Sequence, residues 1–182
     1  MINLENFDWG WMENPEVTDL KPLLIKEVFE ERIYEKFFTI DEGDIVLDIG
    51  SSVGPFAYSI LNKKPKHIYC LEPSKEQIPT LEKNMSTLSS TIINKGISDI
   101  DGKNKFILFG EKNGLGESDS ITFSSLIKEY KICLSPSKYI PLRDDSSYLI
   151  YQFHQSTFIF EYRYRCARDK LYLIDSVFRV DS

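Results

Sequence analysis

The sequence has few of the residues that crosslink a chain or bind a metal. Its three cysteines, Cys70, Cys133 and Cys166, are far apart and form no C-x-x-C pair, and its two histidines are His67 and His154. An odd number of scattered cysteines does not suit a disulfide framework, and this ligand set does not support a zinc site. We therefore expect no metal site, and a reducing, cytoplasmic setting.

Long apolar runs and an excess of positive charge are also missing. The chain begins Met-Ile-Asn-Leu-Glu, which lacks the basic start and apolar run of a signal peptide, and no segment has the run of about 20 apolar residues that crosses a bilayer. The net charge is -6, so there is no general electrostatic attraction to nucleic acid or anionic lipid. We predict neither a membrane nor a nucleic acid as partner.

The remaining composition is that of an ordinary folded protein, with 42% apolar and 27% charged residues in 182 positions. This length favours one domain. We predict a single α/β domain over 1–182, in which 1–40 forms an N-terminal arm and helix, 41–132 a ligand-binding core, and 133–182 an atypical tail.

The N-terminal arm carries two tryptophans within Phe7-Asp-Trp-Gly-Trp-Met12. We interpret them as rings that pin the arm to the domain, and a lid over a substrate pocket is the alternative. Apolar residues then recur at helical spacing between Asp19 and Phe38, which predicts a helix there.

Strand patterns alternate with helical patterns through the middle of the chain. Ile45–Ile49 is a short apolar run of the kind found in strands buried on both faces. Pro55 suits the first turn of a helix, and Ser74 with Gln77 forms a capping-box pattern for the next one, although Pro79 favours a later start or a bend. Further strands are predicted at 67–71, 91–93 and 105–109, and a short helix at 120–130.

This alternation is typical of an α/β domain with a parallel, doubly wound sheet. The tail differs, because loop-forming residues fill 133–145 and aromatic, strand-prone residues fill 148–165. We predict two antiparallel strands in the tail, with one more strand pattern within 171–180.

The segment Asp48-Ile-Gly-Ser-Ser-Val-Gly54, whose part Gly50–Gly54 is called the glycine loop below, joins the first predicted strand to a helix. This edge is where open α/β sheets bind ligands. Two glycines would let a ligand approach the backbone, and free N–H groups at the helix start could bind an anion. A phosphate loop of the GxxxxGK[ST] type is excluded because no lysine follows Gly54, and a dinucleotide site needs a glycine where Ser52 stands.

The remaining pattern, an acid followed by two spaced glycines, suits a nucleoside that carries a methionine moiety. Asp48 would lie near the cationic part of this ligand, and Glu72, at the end of the second predicted strand, could accept hydrogen bonds from two ribose hydroxyls. A solvated strand-end charge is the alternative for Glu72. Asp48 and Ser52 favour S-adenosylmethionine over a nicotinamide dinucleotide.

The similarity to a known family is carried by four segments: DIVLDIGSSVGPF, HIYCLEPSKEQIPTLEKNM, IINKGISDIDG and SITFSSLI. Together they resemble the FkbM-type methyltransferases, which are class I S-adenosylmethionine-dependent enzymes. The resemblance covers about residues 30–130. It implies a Rossmann-like doubly wound sheet and methyl transfer to a hydroxyl of a sugar or small natural product, so the expected partner is a small-molecule or glycan acceptor. By resemblance, the cofactor site comprises Asp48, Gly50, Ser51, Ser52, Gly54, Glu72, Pro73, Ser98 and Asp99, although a polar turn is the alternative for the last two.

The resemblance ends near residue 130. The family continues into a strand that ends in an acid-x-Glu-Gly motif, whereas here Ile132 is followed by Cys-Leu-Ser-Pro-Ser-Lys-Tyr and no such motif appears downstream. This departure leaves a second hypothesis, a catalytically degenerate methyltransferase-like binding or accessory domain. Methyl transfer to an alcohol needs a base, for which His154 is the candidate and Asp144 and Asp145 are alternatives.

Overall fold

The computed structural model describes residues 2–14, 20–36, 40–108, 114–132, 140–142, 146–153, 156–163 and 175–180. The chain divides into two compact units, Met1–Ile97 with Gly102–Ser120, and Ser98–Asp101 with Ile121–Ser182. The single domain over 1–182 stays a prediction. None of the helices in the described part of the chain has the length and apolar character needed to span a bilayer.

A parallel three-stranded sheet forms the centre of the first unit. Its strands are β1 (Ile45–Ile49), β2 (His67–Leu71) and β3 (Ser90–Ile93), in the order β1-β2-β3. Helix α2 (Pro55–Ser59) connects β1 to β2, and helix α3 (Ile78–Met85) connects β2 to β3. The predicted α/β alternation with a parallel sheet is therefore confirmed for these elements.

The prediction that β1 is buried on both faces is wrong. Val46 and Asp48 are buried, while Leu47 and Ile49 are only half-buried and Ile45 is 38% exposed. Side chains alternate between the two faces of a strand, so one face of β1 is covered much more completely than the other. The covered face contributes Val46 to a core with Ile68 and Cys70 of β2 and with Leu81 and Met85 of α3.

Helix α3 begins at Ile78, later than the capping-box pattern predicts. Gln77 precedes the helix and makes no capping hydrogen bond, and Pro79 lies in the first turn, where its missing N–H is tolerated. The prediction of Ser74 as N-cap is wrong, because the polar groups of 74–77 are used elsewhere. The Ser74 N–H donates to the carboxylate of Glu72 (2.7 Å), and the Gln77 side chain accepts from the Ser52 hydroxyl (2.6 Å).

The N-terminal helix predicted from Asp19 to Phe38 is broken into short pieces. A helical turn, α1 (Leu20–Leu24), continues as a wider π-helical turn over Ile25–Glu30, and a 3-10 turn follows at Ile33–Lys36. Arg32 lies between them with φ 49°, a left-handed conformation that a right-handed helix does not allow. The helical spacing predicted the segment, and the left-handed residue divides it.

The N-terminal arm packs onto the glycine loop. Phe7, Trp9 and Met12 are buried in one cluster with Val53. The Phe7 ring meets the Trp9 ring edge-on at 4.7 Å between centroids and the Tyr58 ring at 4.9 Å. The interpretation that the two tryptophans pin this arm to the domain is confirmed, because Trp9 is buried in this cluster and Trp11 packs against it.

A second sheet in the first unit has the strand order β4-β6-β5, from β4 (Gly96–Ile97), β5 (Gly102–Leu108) and β6 (Gly114–Ile121). Strands β5 and β6 pair antiparallel from Gly102 with Ser120 to Leu108 with Gly114. Strand β6 includes Ser120, where a helix was predicted to begin. Helix α4 (Phe123–Tyr130) starts later, because Thr122 is its N-cap and accepts a hydrogen bond from the Ser125 N–H at 3.1 Å.

Gly96 is the position of the second sheet where a side chain has least room. A Cβ there would overlap the ring of Phe106. We expect Gly96→Ala to lower the free energy of unfolding by about 2 kcal/mol, because the Phe106 ring must move out of its packed position to make room for the new Cβ. In a Phe106→Ala background the same substitution should cost much less, and urea unfolding of the two single variants and the double variant measures this coupling. Additive effects would contradict the steric explanation.

The second unit contains α4 and a four-stranded antiparallel sheet. The strands are β7 (Ile140–Leu142), β8 (Ser146–Phe153), β9 (Ser156–Arg163) and β10 (Asp175–Val180), in the order β10-β9-β8-β7. The antiparallel pair predicted within 148–165 and the strand predicted within 171–180 are confirmed. Strand β7 lies in the segment predicted as loop.

Candidate functional site

The candidate site lies at the carboxyl ends of β1 and β2. These strands pair in parallel with Ile49 opposite Leu71, so the residues that follow them, Gly50 and Glu72, leave the sheet side by side. Asp48 is the last buried residue of β1. The structure thus brings together Asp48, the glycine loop and Glu72.

The glycine loop contains three residues with left-handed backbone. Gly50, Ser52 and Gly54 have φ values of 76°, 52° and 87°. A Cβ added at Gly54 would lie 2.9 Å from Leu81 Cδ1 and 3.0 Å from Met85 Cε. The expectation that Gly54 leaves room for a ligand is therefore corrected: the space where its side chain would be is filled by helix α3.

Most N–H groups of the loop are already used within the protein. Those of Gly50 and Ser51 both donate to the Leu71 carbonyl, at 2.8 and 2.9 Å, and that of Gly54 donates to the Ser51 carbonyl at 2.7 Å. Helix α2 has five residues and begins with Pro55, which has no N–H. These hydrogen bonds hold the loop in its conformation. They also occupy the N–H groups that were expected to bind an anion, so the predicted anion site is not formed by these groups.

Glu72 is a buried acid with both carboxylate oxygens engaged. Oε2 accepts from the Ser52 N–H at 2.8 Å and Oε1 from the Ser74 N–H at 2.7 Å. The side chain is 5% exposed, so the alternative of a solvated strand-end charge is wrong. Burial raises the pKa of Glu72 to about 7, although the two N–H donors act in the opposite direction. Each oxygen keeps one further lone pair, so the fixed carboxylate can still accept two hydrogen bonds.

Asp48 is a second buried acid, and it differs from Glu72 in how its oxygens are hydrogen-bonded. Its Oδ2 has no hydrogen-bond partner within the described residues. Burial is the main reason that the pKa of Asp48 is raised to about 7, and the charge of Glu72 acts in the same direction. Hydrogen bonds from the Ser51 side chain and the Ala57 N–H partly oppose this rise. A buried acceptor without a donor is costly, so this atom is the strongest indication of where a ligand could donate a hydrogen bond.

The charge of Asp48 is not paired with a positive side chain within the described residues. Neither Asp48 nor Glu72 forms a salt bridge within the part of the chain that the structure describes. Burial and the charge of Asp48 raise the pKa of Tyr34, whose ring packs edge-on against Phe56 at 5.1 Å. Burial and the same charge raise the pKa of the Cys70 thiol. The site therefore favours a ligand that brings hydrogen-bond donors and positive charge.

The remaining predicted site residues have other surroundings. The Pro73 carbonyl accepts from the Ser118 hydroxyl at 2.7 Å and from Asn94 Nδ2 at 3.3 Å, which fixes the chain after Glu72. Ser98 and Asp99 belong to the second unit, where the Ser98 hydroxyl donates to Asp99 at 3.0 Å. The proposed bases His154, Asp144 and Asp145 lie outside the described residues.

Sequence reasoning missed the polar side chains that support the site. Asn94 Nδ2 donates to the Glu72 carbonyl at 2.8 Å, and Asn84 Nδ2 donates to the Val53 carbonyl at 2.8 Å. The role of Asn84 was predictable in principle, because it lies three residues after Leu81 on the apolar face of α3. A polar residue on a buried face indicates a specific hydrogen-bonding role. Asn94 follows a strand in a polar segment and gives no such signal.

Comparisons with known proteins give little beyond this geometry. No protein-family model matches the chain, and no curated protein matches it. Among solved structures, the chain is similar to a Pyrococcus horikoshii protein described as a "putative RNA methyltransferase", with 20% identity and a TM-score of 0.30. The match covers 40% of this chain and 36% of that one. A likeness this distant carries no argument about function.

Proposed function

We propose that this protein is an S-adenosylmethionine-dependent methyltransferase that acts on a hydroxyl of a sugar or small natural product. The observation that carries the proposal is the buried, unpartnered Oδ2 of Asp48 beside the glycine loop, within the described residues. S-adenosylmethionine offers what this atom lacks, since it carries amino N–H donors and a positively charged sulfonium. The acceptor class and the FkbM type rest on the sequence resemblance alone.

The neighbouring acid fits the other half of such a ligand. Glu72 holds its carboxylate in a fixed orientation through the Ser52 and Ser74 N–H groups and retains acceptor capacity on each oxygen. Two ribose hydroxyls could occupy those positions. When bound, the cofactor would supply an electrophilic methyl group, and the chain would orient it through Asp48 and Glu72 while the buried surroundings exclude water. The doubly wound form of the sheet belongs to the same proposal.

A nicotinamide dinucleotide fits less well. Its pyrophosphate needs bare backbone and free N–H groups at the loop, but Ser52 places a side chain there and donates its N–H to Glu72. Two buried acids without a salt bridge in the described residues would also repel a pyrophosphate.

The second candidate is a domain that binds the cofactor without transferring a methyl group. Within the described residues the parallel sheet has three strands, and the strands that follow α4 pair antiparallel with one another. The acid-x-Glu-Gly motif is missing from the same part of the sequence. These observations favour a domain that lacks the catalytic motif of the resembling family.

Calorimetric titration tests the proposal. We expect the protein to bind S-adenosylmethionine and S-adenosylhomocysteine, and Glu72→Gln to weaken both by about tenfold or more, because an amide removes one acceptor of the pair. Glu76→Gln makes the same chemical change on an exposed side chain of the following turn and should bind like the wild type.

Three outcomes decide between the candidates. Absence of binding by both nucleosides contradicts the proposal, and tight NADH binding that depends on Glu72 would replace it with a dinucleotide site. Binding without turnover on a panel of hydroxylated sugars and natural products favours the degenerate domain. Turnover that is lost in Glu72→Gln but kept in Glu76→Gln excludes it.

A further inference from the structure

Asn84 makes three hydrogen bonds that join the N-terminal arm to the glycine loop. Its Nδ2 donates to the carbonyls of Val53 and Asp8, both at 2.8 Å, and its Oδ1 accepts from the Asp8 N–H at 2.9 Å. The residue is 6% exposed. Both N–H groups of the amide are used, and only this orientation of the amide serves two carbonyls and one N–H.

Val53 is the part of the loop that the arm covers. Its side chain is fully buried against Phe7, Trp9 and Met12. The preceding residue, Ser52, has a strained left-handed φ of 52° and donates its N–H to Glu72 at 2.8 Å. A displacement of Val53 would therefore change the direction of the N–H that orients Glu72.

We propose that Asn84 is a positioning residue for the candidate site, and that through it the arm, residues 2–14, is part of the ligand-binding structure. By holding the Val53 carbonyl against the Asp8 backbone, Asn84 fixes the loop in the conformation that aims Ser52 at Glu72. The consequence for ligand affinity rests on the proposed function. The positioning of the loop does not, and it can be measured without a ligand.

Lys83 offers a matched control on the same helix. Its side chain is 69% exposed, and its Nζ contacts the Asp8 carboxylate at 2.6 Å. Lys83→Ala therefore removes a contact to the same arm residue while leaving the Asn84 hydrogen bonds in place. Asn84→Asp is the second informative change, since it can still accept from the Asp8 N–H but cannot donate to Val53.

Hydrogen exchange followed by mass spectrometry, without ligand, is the first measurement. We expect exchange in the peptide 50–56 to be about tenfold faster in Asn84→Ala and in Asn84→Asp, with β3 still protected, and unchanged in Lys83→Ala. Wild-type protection in either Asn84 variant, or an equal loss in Lys83→Ala, overturns the proposal. If neither Asn84 variant folds, Phe7→Leu should accelerate the same peptide by a smaller factor, and an unchanged rate overturns the proposal.

Titration with S-adenosylhomocysteine is the second measurement. The affinity of Asn84→Ala should fall by about tenfold and that of Lys83→Ala should not change. If the wild type binds no nucleoside, the proposed function fails, while the exchange result still decides whether Asn84 positions the loop. If the wild type binds and Asn84→Ala binds equally well, Asn84 has no positioning role toward the ligand.

Discussion

Replacing Gly54 with alanine is expected to lower the free energy of unfolding by about 3 kcal/mol. Two costs add at this position. Gly54 has φ +87°, which an L-residue with a side chain adopts only with strain, and its new Cβ would lie 2.9 Å from Leu81 Cδ1 and 3.0 Å from Met85 Cε. Leu81 and Met85 are almost completely buried, so the end of neither side chain can move aside into solvent.

Gly43 separates the two costs. It has nearly the same backbone conformation, φ +88°, but a Cβ there would have nothing within 4 Å. Gly43→Ala should therefore lose only the conformational part, about 1 kcal/mol. Urea unfolding of both variants gives the packing part as their difference. Equal losses at the two glycines would show that α3 accommodates the extra methyl group and that Gly54 is needed only for its backbone conformation.

This result would bear on how glycine loops are interpreted from sequence. Asp48, Gly50 and Gly54 form a pattern that predicts a ligand site, and the structure places the pattern where β1 meets α2. Within that pattern, however, the absence of a side chain at Gly54 is explained by helix packing. The feature that points to a ligand is Asp48, whose Oδ2 has no hydrogen-bond partner among the residues that the structure describes, and no sequence pattern could reveal this.

The sequence predicted those strands and helices whose structure is determined by residues close together in the chain. Strands β1, β2 and β3 are short apolar runs, and Leu81 and Met85 follow the helical period that buries them. The parts it did not predict depend on distant partners. Ser74 and Gln77 look like a helix cap, but Glu72 and Ser52 take their polar groups across the turn. Strand β6 has little apolar character, and its pairing with β5 gives it its structure.

The site shows the same division. The sequence placed Glu72 at a strand end, and the parallel pairing of β1 with β2 made its position beside the loop predictable. It did not predict that Glu72 would be buried, or that its oxygens would be held by Ser52 and Ser74. The hydrogen bond from the Ser52 N–H joins residues 20 positions apart in the chain, and no local pattern predicts such a contact.

Replacing Asp48 with asparagine is expected to stabilise the protein at pH 8 and to weaken nucleoside binding at the same time. The pKa of Asp48 is raised from 3.8 to about 7, mainly by burial. Between these values the folded protein binds more protons than the unfolded chain, so the stability of the wild type falls as the pH rises toward 7. The pKa of Glu72, raised to about 7, contributes in the same direction. The Asp48→Asn substitution removes the part of the pH dependence of stability that Asp48 causes, and the part that Glu72 causes remains.

The difference between the two proteins should therefore depend on pH. At pH 5 both folded proteins carry a neutral group at position 48, whereas the unfolded wild-type chain already has an ionised Asp48, so the stability difference should be smaller than at pH 8. At pH 8 we expect the asparagine variant to be more stable by about 2 kcal/mol, since it avoids a buried charge but leaves amide N–H groups poorly paired. Urea unfolding at several pH values measures this, and Asp41→Asn, on an exposed side chain, gives the baseline for the same chemical change.

The combination of the two measurements is what identifies a ligand-binding acid. A carboxylate kept for the fold would stabilise the folded state, and its loss would lower stability at every pH. A carboxylate kept for a cationic ligand lowers stability when the ligand is absent, and a bound ligand compensates for that cost. If Asp48→Asn is less stable at pH 8 as well as at pH 5, Oδ2 has a partner within the chain and the main support for the proposed function is lost. Greater stability at pH 8 together with weaker S-adenosylhomocysteine binding would assign Asp48 to the ligand.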